Sequence, residues 1–399
     1  MNRKQLAVFL TIVFVIYFGI SCYIFQNGLV ALRSFAPATA VTIYIIVFVV
    51  MVMMYPFARI VGKRLPVKLS DALALTGGMW FAAMLYFTLL LLALDLIYLV
   101  LQWIEPTAHF LSAHLSQINA LTFAGVLLVV ASLLIYGYQN ALRMRMQRLT
   151  LTLDKSIPGL QKLKLVFASD IHLGHIIGRR TLQRIVDAIN AESPDLVLFP
   201  GDLVDEELQP VIDKDLGVIF EQLPPKYGVF AVTGNHEYIG GADKAVEYLS
   251  KHGIRFLRDE ALEIGGAFVL AGREDASSSN FSGKKRKLLK NILSEINPQL
   301  PIILMDHQPI ALQEAADSGT DLQISGHTHH GQMWPLQAIT RRVFRLSRGY
   351  MKIGSTHFYV STGAGSWGPR VRIGNRPEIV SITLLSEQYA DVTEKSHIP

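Results

Sequence analysis

Cysteine is almost absent from this chain of 399 residues: Cys22 is the only one, so no intramolecular disulfide can form. This excludes a small secreted fold stabilised by disulfides and fits a reducing compartment. Acidic residues are also scarce in positions 1–150, which contain three of them and ten lysines or arginines. Positions 151–399 contain 29 acidic and 27 basic residues, so the net charge of +5 is the sum of +7 and −2. The two parts of the chain therefore belong to different classes of structure.

Long apolar runs without charge-rich faces dominate the first part. Four of them, at 5–25, 40–57, 72–104 and 118–138, approach or exceed the roughly 20 residues that span a bilayer. Arg3 and Lys4 precede the first run as in a signal peptide, but no small-residue cleavage pattern follows it, and three more runs do. A soluble helical bundle would need polar faces, which these runs lack. We therefore expect an all-α region of four transmembrane helices over 1–138.

The distribution of positive charge predicts the orientation of these spans. Lysines and arginines are frequent before the first span, between the second and third and after the fourth, whereas the other two loops contain only Arg33. Since cytoplasmic loops collect positive residues, both termini should be cytoplasmic. This predicts a multi-pass protein of the inner (plasma) membrane with its C-terminal part in the cytoplasm.

One carboxylate, Asp95, lies inside the third apolar run. A charge within the membrane costs free energy and by default suggests function. If Asp95 instead lies near the interface beside Trp103, its charge costs little and no function is implied. Both interpretations stay open. A transporter would need several paired charges in its spans, and Asp95 alone does not predict one.

From position 163 onward the pattern changes to short apolar runs that alternate with helical segments. We divide this part into a basic juxtamembrane linker, partly helical, at 139–162, an α/β domain at 163–385 and a C-terminal tail at 386–399. Helices are expected at 179–192, 205–223, 242–252, 284–296 and 310–318. About eleven strands are more than one doubly wound sheet usually holds, so two sheets packed face to face are favoured.

Polar side chains follow five of these strands, at the point where each strand ends. Open α/β sheets place their sites at that edge, so we expect these side chains to lie together. Carboxylate, imidazole and amide oxygen, with no thiolate, suit a pair of divalent first-row metal ions. Two such ions activate water and bind a phosphoryl group, which predicts hydrolysis of phosphate esters. The residues are Asp170, His172, Asp202, Asn235, His236, His307, His327 and His329.

In their order and spacing these residues resemble the calcineurin-like metallophosphoesterase superfamily, over about 162–385. Its motifs D-x-H, G-D-x-x-D, G-N-H-E/D, a lone His and G-H-x-H read here as Asp170-Ile-His172, Gly201-Asp202-Leu-Val-Asp205, Gly234-Asn235-His236-Glu237, His307 and Gly326-His327-Thr-His329. The resemblance implies a four-layer α/β/β/α sandwich and in-line attack on phosphorus by a hydroxide that bridges two divalent ions, which could be Mn, Zn or Fe.

The resemblance also implies a role for each residue. Asp170, His172 and His329 would bind the first metal, and Asp202 would bridge it to the second. Asn235, His307 and His327 would complete the second site. His236 would protonate the leaving oxygen, and Asp205 would orient its ring.

Further similarities narrow the branch and the substrate. GHTHHGQ, VSTGAGSWGPR and Pro377-Glu378-Ile379 resemble bacterial membrane-associated phosphoesterases, and Glu206-Glu207 replaces the Arg-Gly of protein phosphatases. His175, His330, which replaces a Gly of that branch, and Arg345 are candidate substrate-binding residues. The basic, apolar segment 341–350 either rests on the leaflet or is a solvated loop. The run 284–287 is interpreted as a solvated helix face.

The sequence thus predicts a membrane-anchored dimetal phosphoesterase acting on phosphodiesters or phosphomonoesters. Lipid or nucleotide-linked lipid substrates are preferred, because an anchor raises the local concentration of membrane-borne molecules. A phosphodiesterase of soluble nucleotides remains an alternative. So does a membrane sensor that uses the fold only for binding, although binding has no use for a leaving-group acid. Nucleic acid is not an expected partner, and the oligomeric state stays open.

Overall fold

The computed structural model describes residues 3–386. It divides the chain into two compact units, one of residues up to Gln139 with Gly368–Val371 and one of Asn140–Trp367 with the residues from Arg372 onward. The predicted tail lies, from position 387, outside the described residues.

The first unit is helical. Four of its helices are long and apolar enough to cross a membrane, which confirms the predicted four-span region. Pro37 and Pro66 directly precede the second and third of them. Proline is favoured at the start of a helix, because its φ is fixed and the backbone N–H that it lacks would have no partner within the helix. The helices are α1 (Arg3–Arg33), α2 (Ala38–Val61), α3 (Val67–Leu101), α4 (Glu105–Ala113), which was not predicted, and α5 (Leu115–Ala141).

The second unit, called the catalytic unit below, contains twelve strands and eight short helices among its described residues. The strands are β1 (Arg145–Leu153), β2 (Lys162–Phe167), β3 (Leu196–Pro200), β4 (Val229–Val232), β5 (Ile254–Phe256), β6 (Glu260–Ile264), β7 (Phe268–Gly272), β8 (Ile302–Met305), β9 (Leu322–Ser325), β10 (Gly349–Ile353), β11 (Thr356–Val360) and β12 (Glu378–Ser386). The helices are α6 (Arg179–Ala191), α7 (Gln209–Asp213), α8 (Asn235–Gly240), α9 (Ala242–Ser250), α10 (Ser278–Ser282), α11 (Leu289–Ile292), α12 (Leu312–Asp317) and α13 (Gln337–Val343).

These strands form two six-stranded mixed sheets. The order in the first is β1-β12-β2-β3-β4-β5, and in the second β10-β11-β9-β8-β7-β6. Strands β2 to β5 are parallel to one another, as are β7, β8, β9 and β11. In each sheet the parallel strands therefore point their carboxyl ends to one edge.

Successive side chains of a strand point to opposite faces of its sheet, and this alternation explains the layers of the fold. Leu165 and Phe167 of β2 pack into a core that also contains Phe268 and Ile303 of the second sheet, so the two sheets face each other. Val166, between them, points to the opposite side and joins a core with helix α6. A third core places α11 and α12 on the outer face of the second sheet. This is the predicted α/β/β/α sandwich.

Several segments differ from the sequence-based expectation. The prediction of a partly helical linker at 139–162 is wrong over Arg145–Leu153, which is strand β1 and pairs in parallel with β12. Its alternating pattern was obscured by Arg145 and Arg148, which lie on opposite faces of the strand. The helix expected at 205–223 is reduced to α7 and a 3-10 turn at Gly217–Gln222, and the helix at 284–296 to α11. The run 284–287 is consequently not a helix face.

Candidate metal centre

The five motifs lie at the carboxyl ends of five strands. Strands β2, β3 and β4 are neighbours in the first sheet, and β8 and β9 are neighbours in the second. The first three lead into Asp170, Asp202 and Asn235, and the other two lead into His307 and His327. Because the sheets face each other, side chains from both converge between these edges. The strand-end placement inferred from the sequence is thereby confirmed.

The backbone at these positions adopts an uncommon conformation. Asp170, His172, Asp202, His327 and His329 have φ of 52°, 54°, 53°, 69° and 43°. Residues other than glycine rarely occupy this left-handed region, and they persist there only where the surrounding structure holds them. The chain thus turns sharply after β2, β3 and β9, and these turns direct the side chains into the centre.

Asp170, His172 and His329 form the first cluster of buried potential ligands, whose donor atoms lie within 4.8 Å of one another. The Nε2 atoms of the two histidines are 2.9 Å apart. The Nε2 atom of His329 is 3.7 Å from Asp170 Oδ1. Two imidazole nitrogens at this distance need a shared proton or a cation between them, so the donor set fits a metal ion.

Asp202, His307 and His327 form the second cluster, within the same 4.8 Å limit. Asp202 Oδ2 lies 3.1 Å from His307 Nε2 and 3.9 Å from His172 Nε2, so this carboxylate adjoins both clusters. Asn235 Oδ1 lies 2.8 Å from His327 Nδ1 and 3.3 Å from His307 Nε2. Every ligand implied by the resemblance thus belongs to one of two adjacent groups.

Hydrogen bonds fix which atoms face the centre. The Nδ1 atom of His307 lies 2.8 Å from the carbonyl oxygen of Pro200, to which it donates, so Nε2 is left with the lone pair that a metal needs. Glu237 accepts hydrogen bonds from the backbone nitrogens of Asp202, Val204 and Gly234, at 3.1, 2.8 and 2.7 Å. This buried carboxylate therefore ties the second motif to the third.

Glycine is required at two positions because a carboxylate of another motif lies very close to the backbone there. A Cβ atom at Gly234 would lie 2.1 Å from Asp202 Oδ1, and one at Gly326 would lie 2.1 Å from Asp170 Oδ2. Each carboxylate rests directly on the backbone of the neighbouring motif. Any side chain at these glycines would displace a candidate ligand.

Electrostatics favour the protonation states of metal ligands at Asp202, His327 and His329. At His307, burial lowers the pKa, but the charges of Asp202 and Asp170 outweigh it and raise that pKa well above its ordinary value. Burial raises the pKa of Asp202, but His307 and other nearby histidines outweigh it and hold that pKa well below its ordinary value. Burial, with the positive charge of neighbours, lowers the pKa of His327 and His329. A charged carboxylate and neutral imidazoles are the forms that bind divalent cations. The residues present therefore fit the two metal ions that the motifs imply.

His236 lies beside the two clusters, with Nδ1 3.1 Å from Asp205 Oδ1. Burial lowers the pKa of His236, but Asp205 and the charge of Asp202 outweigh it and raise it to about 9. The carboxylate of Asp205 thus favours the protonated form of this imidazole. Its donor atoms also lie within 4.8 Å of His172 and Asp202, so geometry alone allows His236 a place among the ligands.

The three candidate substrate-binding residues have different surroundings. His175 is half-buried just after the first motif. Arg345 is exposed, and its Nη1 lies 3.5 Å from Gln313 Oε1. His330 is 1% exposed, and its Nδ1 lies 3.0 Å from Ser347 Oγ, so it does not lie at an open rim. Burial and the nearby Arg348 lower the pKa of His330 to about 4.

The segment 341–350 is only partly available to a membrane. Leu346 is 7% exposed and belongs to the core between the second sheet and its helices, so it cannot contact a leaflet. The ring of Phe344 lies 5.8 Å from that of His327. Val343 is 66% exposed. Leu346, Phe344 and Val343 thus have separate surroundings: a core, the neighbourhood of the candidate metal ligand His327, and solvent.

Two residues beside the centre were not predicted. Trp367, inside VSTGAGSWGPR, is 56% exposed, and its ring lies 6.0 Å from that of His236. Arg372 is fully buried, and its Nη2 lies 3.2 Å from His329 Nδ1 and donates to the carbonyl oxygen of Gly365 at 2.6 Å. A lone arginine or tryptophan in a loop carries no spacing signal, so sequence reasoning had no means to single them out.

Comparison with known proteins agrees with this geometry. Residues 163–331 match the family model described as calcineurin-like phosphoesterase. The chain belongs to this family.

Its relatives include bacterial and animal proteins. An uncharacterized metallophosphoesterase of Aquifex aeolicus is 30% identical over 251 residues, which cover 62% of this chain and 95% of the relative. One of Campylobacter jejuni is 34% identical over 272 residues, covering 66% and 70%. A transmembrane protein with metallophosphoesterase domain from Danio rerio is 32% identical over 271 residues, covering 65% and 61%. With the four apolar helices, the last relative supports a location in a membrane.

Proposed function

We propose that this protein is a membrane-anchored dimetal phosphoesterase that hydrolyses phosphodiester or phosphomonoester bonds of membrane-borne substrates. One observation carries the proposal. Two clusters of potential ligands adjoin at Asp202, and His236, whose Nδ1 lies 3.1 Å from Asp205 Oδ1, lies beside both. A site built only for binding would gain nothing from that histidine.

In this proposal Asp170, His172 and His329 would hold one divalent ion, and Asn235, His307 and His327 would hold the other. Asp202, whose Oδ2 adjoins both clusters, would serve both sites. When bound, the ions supply activated water and neutralise charge on the phosphoryl group. The protein supplies the ligand geometry, through the left-handed turns and the hydrogen bonds of Glu237 described above.

His236 donates a proton to the oxygen that leaves phosphorus. Asp205 orients the ring through Nδ1, at 3.1 Å, and its negative charge stabilises the protonated imidazole, whose Nε2 then donates the proton that is transferred. The half-exposed Trp367 walls the site next to His236, and Phe344 walls it next to His327. These two rings limit the access of water from the sides that they cover.

Membrane-borne substrates are proposed because the four apolar helices hold the catalytic unit at a bilayer. Tethering raises the effective concentration of lipid esters relative to soluble ones. The charge distribution of the loops favours a cytoplasmic location of the catalytic unit, in the inner (plasma) membrane of a bacterium.

The test is a substrate panel with the purified full-length protein in mixed micelles, with Mn²⁺ or Zn²⁺ added. Bis(p-nitrophenyl) phosphate reports phosphodiesterase chemistry, and lipid extracts analysed by mass spectrometry report the substrate class. We expect hydrolysis of both, with chelation abolishing it. Hydrolysis of soluble nucleotides in preference to every lipid would support the soluble phosphodiesterase instead. No hydrolysis with either metal, but tight binding of a phosphate ester, would favour the sensor.

A further inference from the structure

A groove of about 600 Å³ lies on the catalytic unit between α8, α9 and the segment 278–287. Its volume falls in the range of sites for small organic ligands. None of the candidate metal ligands lines it. Its walls contain the basic run 284–287, to which the sequence assigned no role.

The charge of this groove is strongly asymmetric. Six basic and three acidic residues line it, so the lining has a formal charge of +3. The basic ones are Lys244, Arg258, Lys284, Lys285, Arg286 and Lys287, and the acidic ones are Asp243, Asp259 and Glu274.

The acidic residues are already occupied within the protein. Arg258 pairs with Glu274 and with Asp243, at 2.6 Å in each case. Asp259 accepts hydrogen bonds from the backbone nitrogens of Glu274 and Lys287, at 2.9 and 2.6 Å. The carboxylates thus help to build the walls, with arginine and backbone groups as their hydrogen-bond partners.

Three cations of the groove remain directed to solvent. The side chains of Lys244, Lys284 and Lys285 are exposed and form no ion pair with any residue that the structure describes. Arg286, in contrast, pairs with the buried Asp306 at 3.0 Å. Lysine ammonium groups are compact point charges that bind phosphate.

The groove is fixed to the metal centre through one short helix. Helix α8 begins at Asn235 and His236, and its last residue, Gly240, lines the groove. Glu274 accepts hydrogen bonds from Tyr238 of this helix and, at 2.9 Å, from Thr233 just before it. A rise of 1.5 Å per residue places Gly240 about 8 Å along the helix axis from Asn235, which belongs to the centre. A substrate that occupies both therefore carries two separated anionic groups.

We propose that this groove binds a second phosphate group of the substrate, distinct from the phosphate that is hydrolysed. The inference rests on the proposed function and narrows its substrate class to phosphodiesters that carry another phosphate several bonds away. Nucleotides with two separated phosphates and phospholipids with two phosphates share this chemistry. Phe281, 52% exposed in the groove wall, offers an apolar surface to the group between them.

Two matched substrate pairs test the proposal with the full-length protein. The nucleotide pair is thymidine 5′-(p-nitrophenyl phosphate) with and without a 3′-phosphate. The lipid pair is diphosphatidylglycerol and phosphatidylglycerol in mixed micelles. We expect the member with the second phosphate to have a KM lower by about three- to tenfold in at least one pair. Lys284→Gln with Lys285→Gln should abolish that preference without changing KM for bis(p-nitrophenyl) phosphate.

A control pair of variants separates local binding from general attraction of anions. Lys162→Gln with Lys251→Gln removes the same charge from exposed positions outside the groove and should retain the preference. A preference within the nucleotide pair identifies a nucleotide source, and one within the lipid pair identifies a lipid source. No preference in either pair, or equal loss in both double variants, overturns the proposal.

The experiments distinguish failure of the proposed function from failure of the second-phosphate site. If bis(p-nitrophenyl) phosphate is not hydrolysed with any divalent metal, the enzyme assignment fails, and the groove is tested by calorimetry. Thymidine 3′,5′-bisphosphate should then bind more tightly than thymidine 5′-monophosphate to the wild type, and equally weakly to the groove variant. If the ester is hydrolysed but the lysine substitutions change no KM, only the second-phosphate site is wrong.

Discussion

Asp202→Asn and His236→Ala should separate metal binding from proton transfer. Asp202 Oδ2 lies 3.1 Å from His307 Nε2 and 3.9 Å from His172 Nε2, so it adjoins both clusters of ligands. Replacing its charge with an amide of the same shape should lower the metal content and abolish hydrolysis of every ester. His236→Ala removes a group whose nearest carboxylate is Asp205, so both metals should remain.

The size of the His236→Ala effect should depend on the leaving group. A positioned general acid contributes about 10²- to 10⁴-fold to the rate when the departing oxygen needs a proton. An alkoxide leaving group needs one, whereas p-nitrophenolate departs without it. We therefore expect a loss of about 10²- to 10⁴-fold in kcat for alkyl phosphodiesters and a much smaller loss for p-nitrophenyl esters.

The assay combines kinetics with metal analysis of the purified full-length variants by inductively coupled plasma mass spectrometry. His252→Ala is the matched control, because this histidine pairs with Glu221 at 2.7 Å and belongs to no ligand cluster. The geometry also brings His236 within reach of His172 and Asp202, which makes a ligand role the competing assignment. Loss of metal from His236→Ala, with equal losses for both leaving groups, would refute the role of proton donor.

Three further predictions concern stability, membrane contact and topology. Because the hydrogen bond from Arg148, with the help of Lys164, outweighs the effect of burial and lowers the pKa of Glu192 to about 2, Glu192→Gln should lower the free energy of unfolding by about 1 kcal/mol above pH 5. In urea unfolding at a series of pH values, the difference in the free energy of unfolding between wild type and variant should fade as pH drops from 4.5 to about 2, where the carboxyl of the folded protein takes up its proton. A difference that grows in acid would contradict this. Ile339→Ser with Val343→Ser, two exposed residues of α13, should reduce turnover of lipid diesters in liposomes about tenfold and leave bis(p-nitrophenyl) phosphate unaffected; equal losses would indicate misfolding. In a cysteine-free background, a cysteine at Ser112 should react with an impermeant thiol reagent on intact cells, and one at Ser282 only after lysis; the reverse would overturn the orientation.

The motifs predicted the metal centre because they combine residue type with position at a strand end. Asp170 and His172 point the same way after β2 because the chain turns there through left-handed conformations, which the spacing does not reveal. The pairing of motifs across two sheets followed from the resemblance. Trp367 and Arg372 reach the centre from loops without periodicity, so only the three-dimensional structure could place them.

Local patterns failed where tertiary contacts decide the conformation. The segment 284–296 has helical composition, yet the hydrogen bond from the Lys287 backbone nitrogen to Asp259 and the pair of Arg286 with Asp306 hold it in an irregular path. The sequence around Leu346 predicts an exposed basic segment, but its side chain packs in the core between the second sheet and its helices. Burial of a single apolar residue in a loop leaves no periodic signal.

Strand β1 begins only a few residues after helix α5, at Arg145, and forms the outer edge of the first sheet. A truncated protein that starts at the first metal-bearing strand would omit β1 and expose the flank of β12, most of whose residues are buried. Unpaired apolar edges recruit strands from other molecules, so such a fragment should aggregate. A protease that releases the catalytic unit intact should therefore cut near Asn140, where the unit begins and where the buried Asn140 donates hydrogen bonds to the carbonyl oxygens of Arg372 and Asn375, and not within β1.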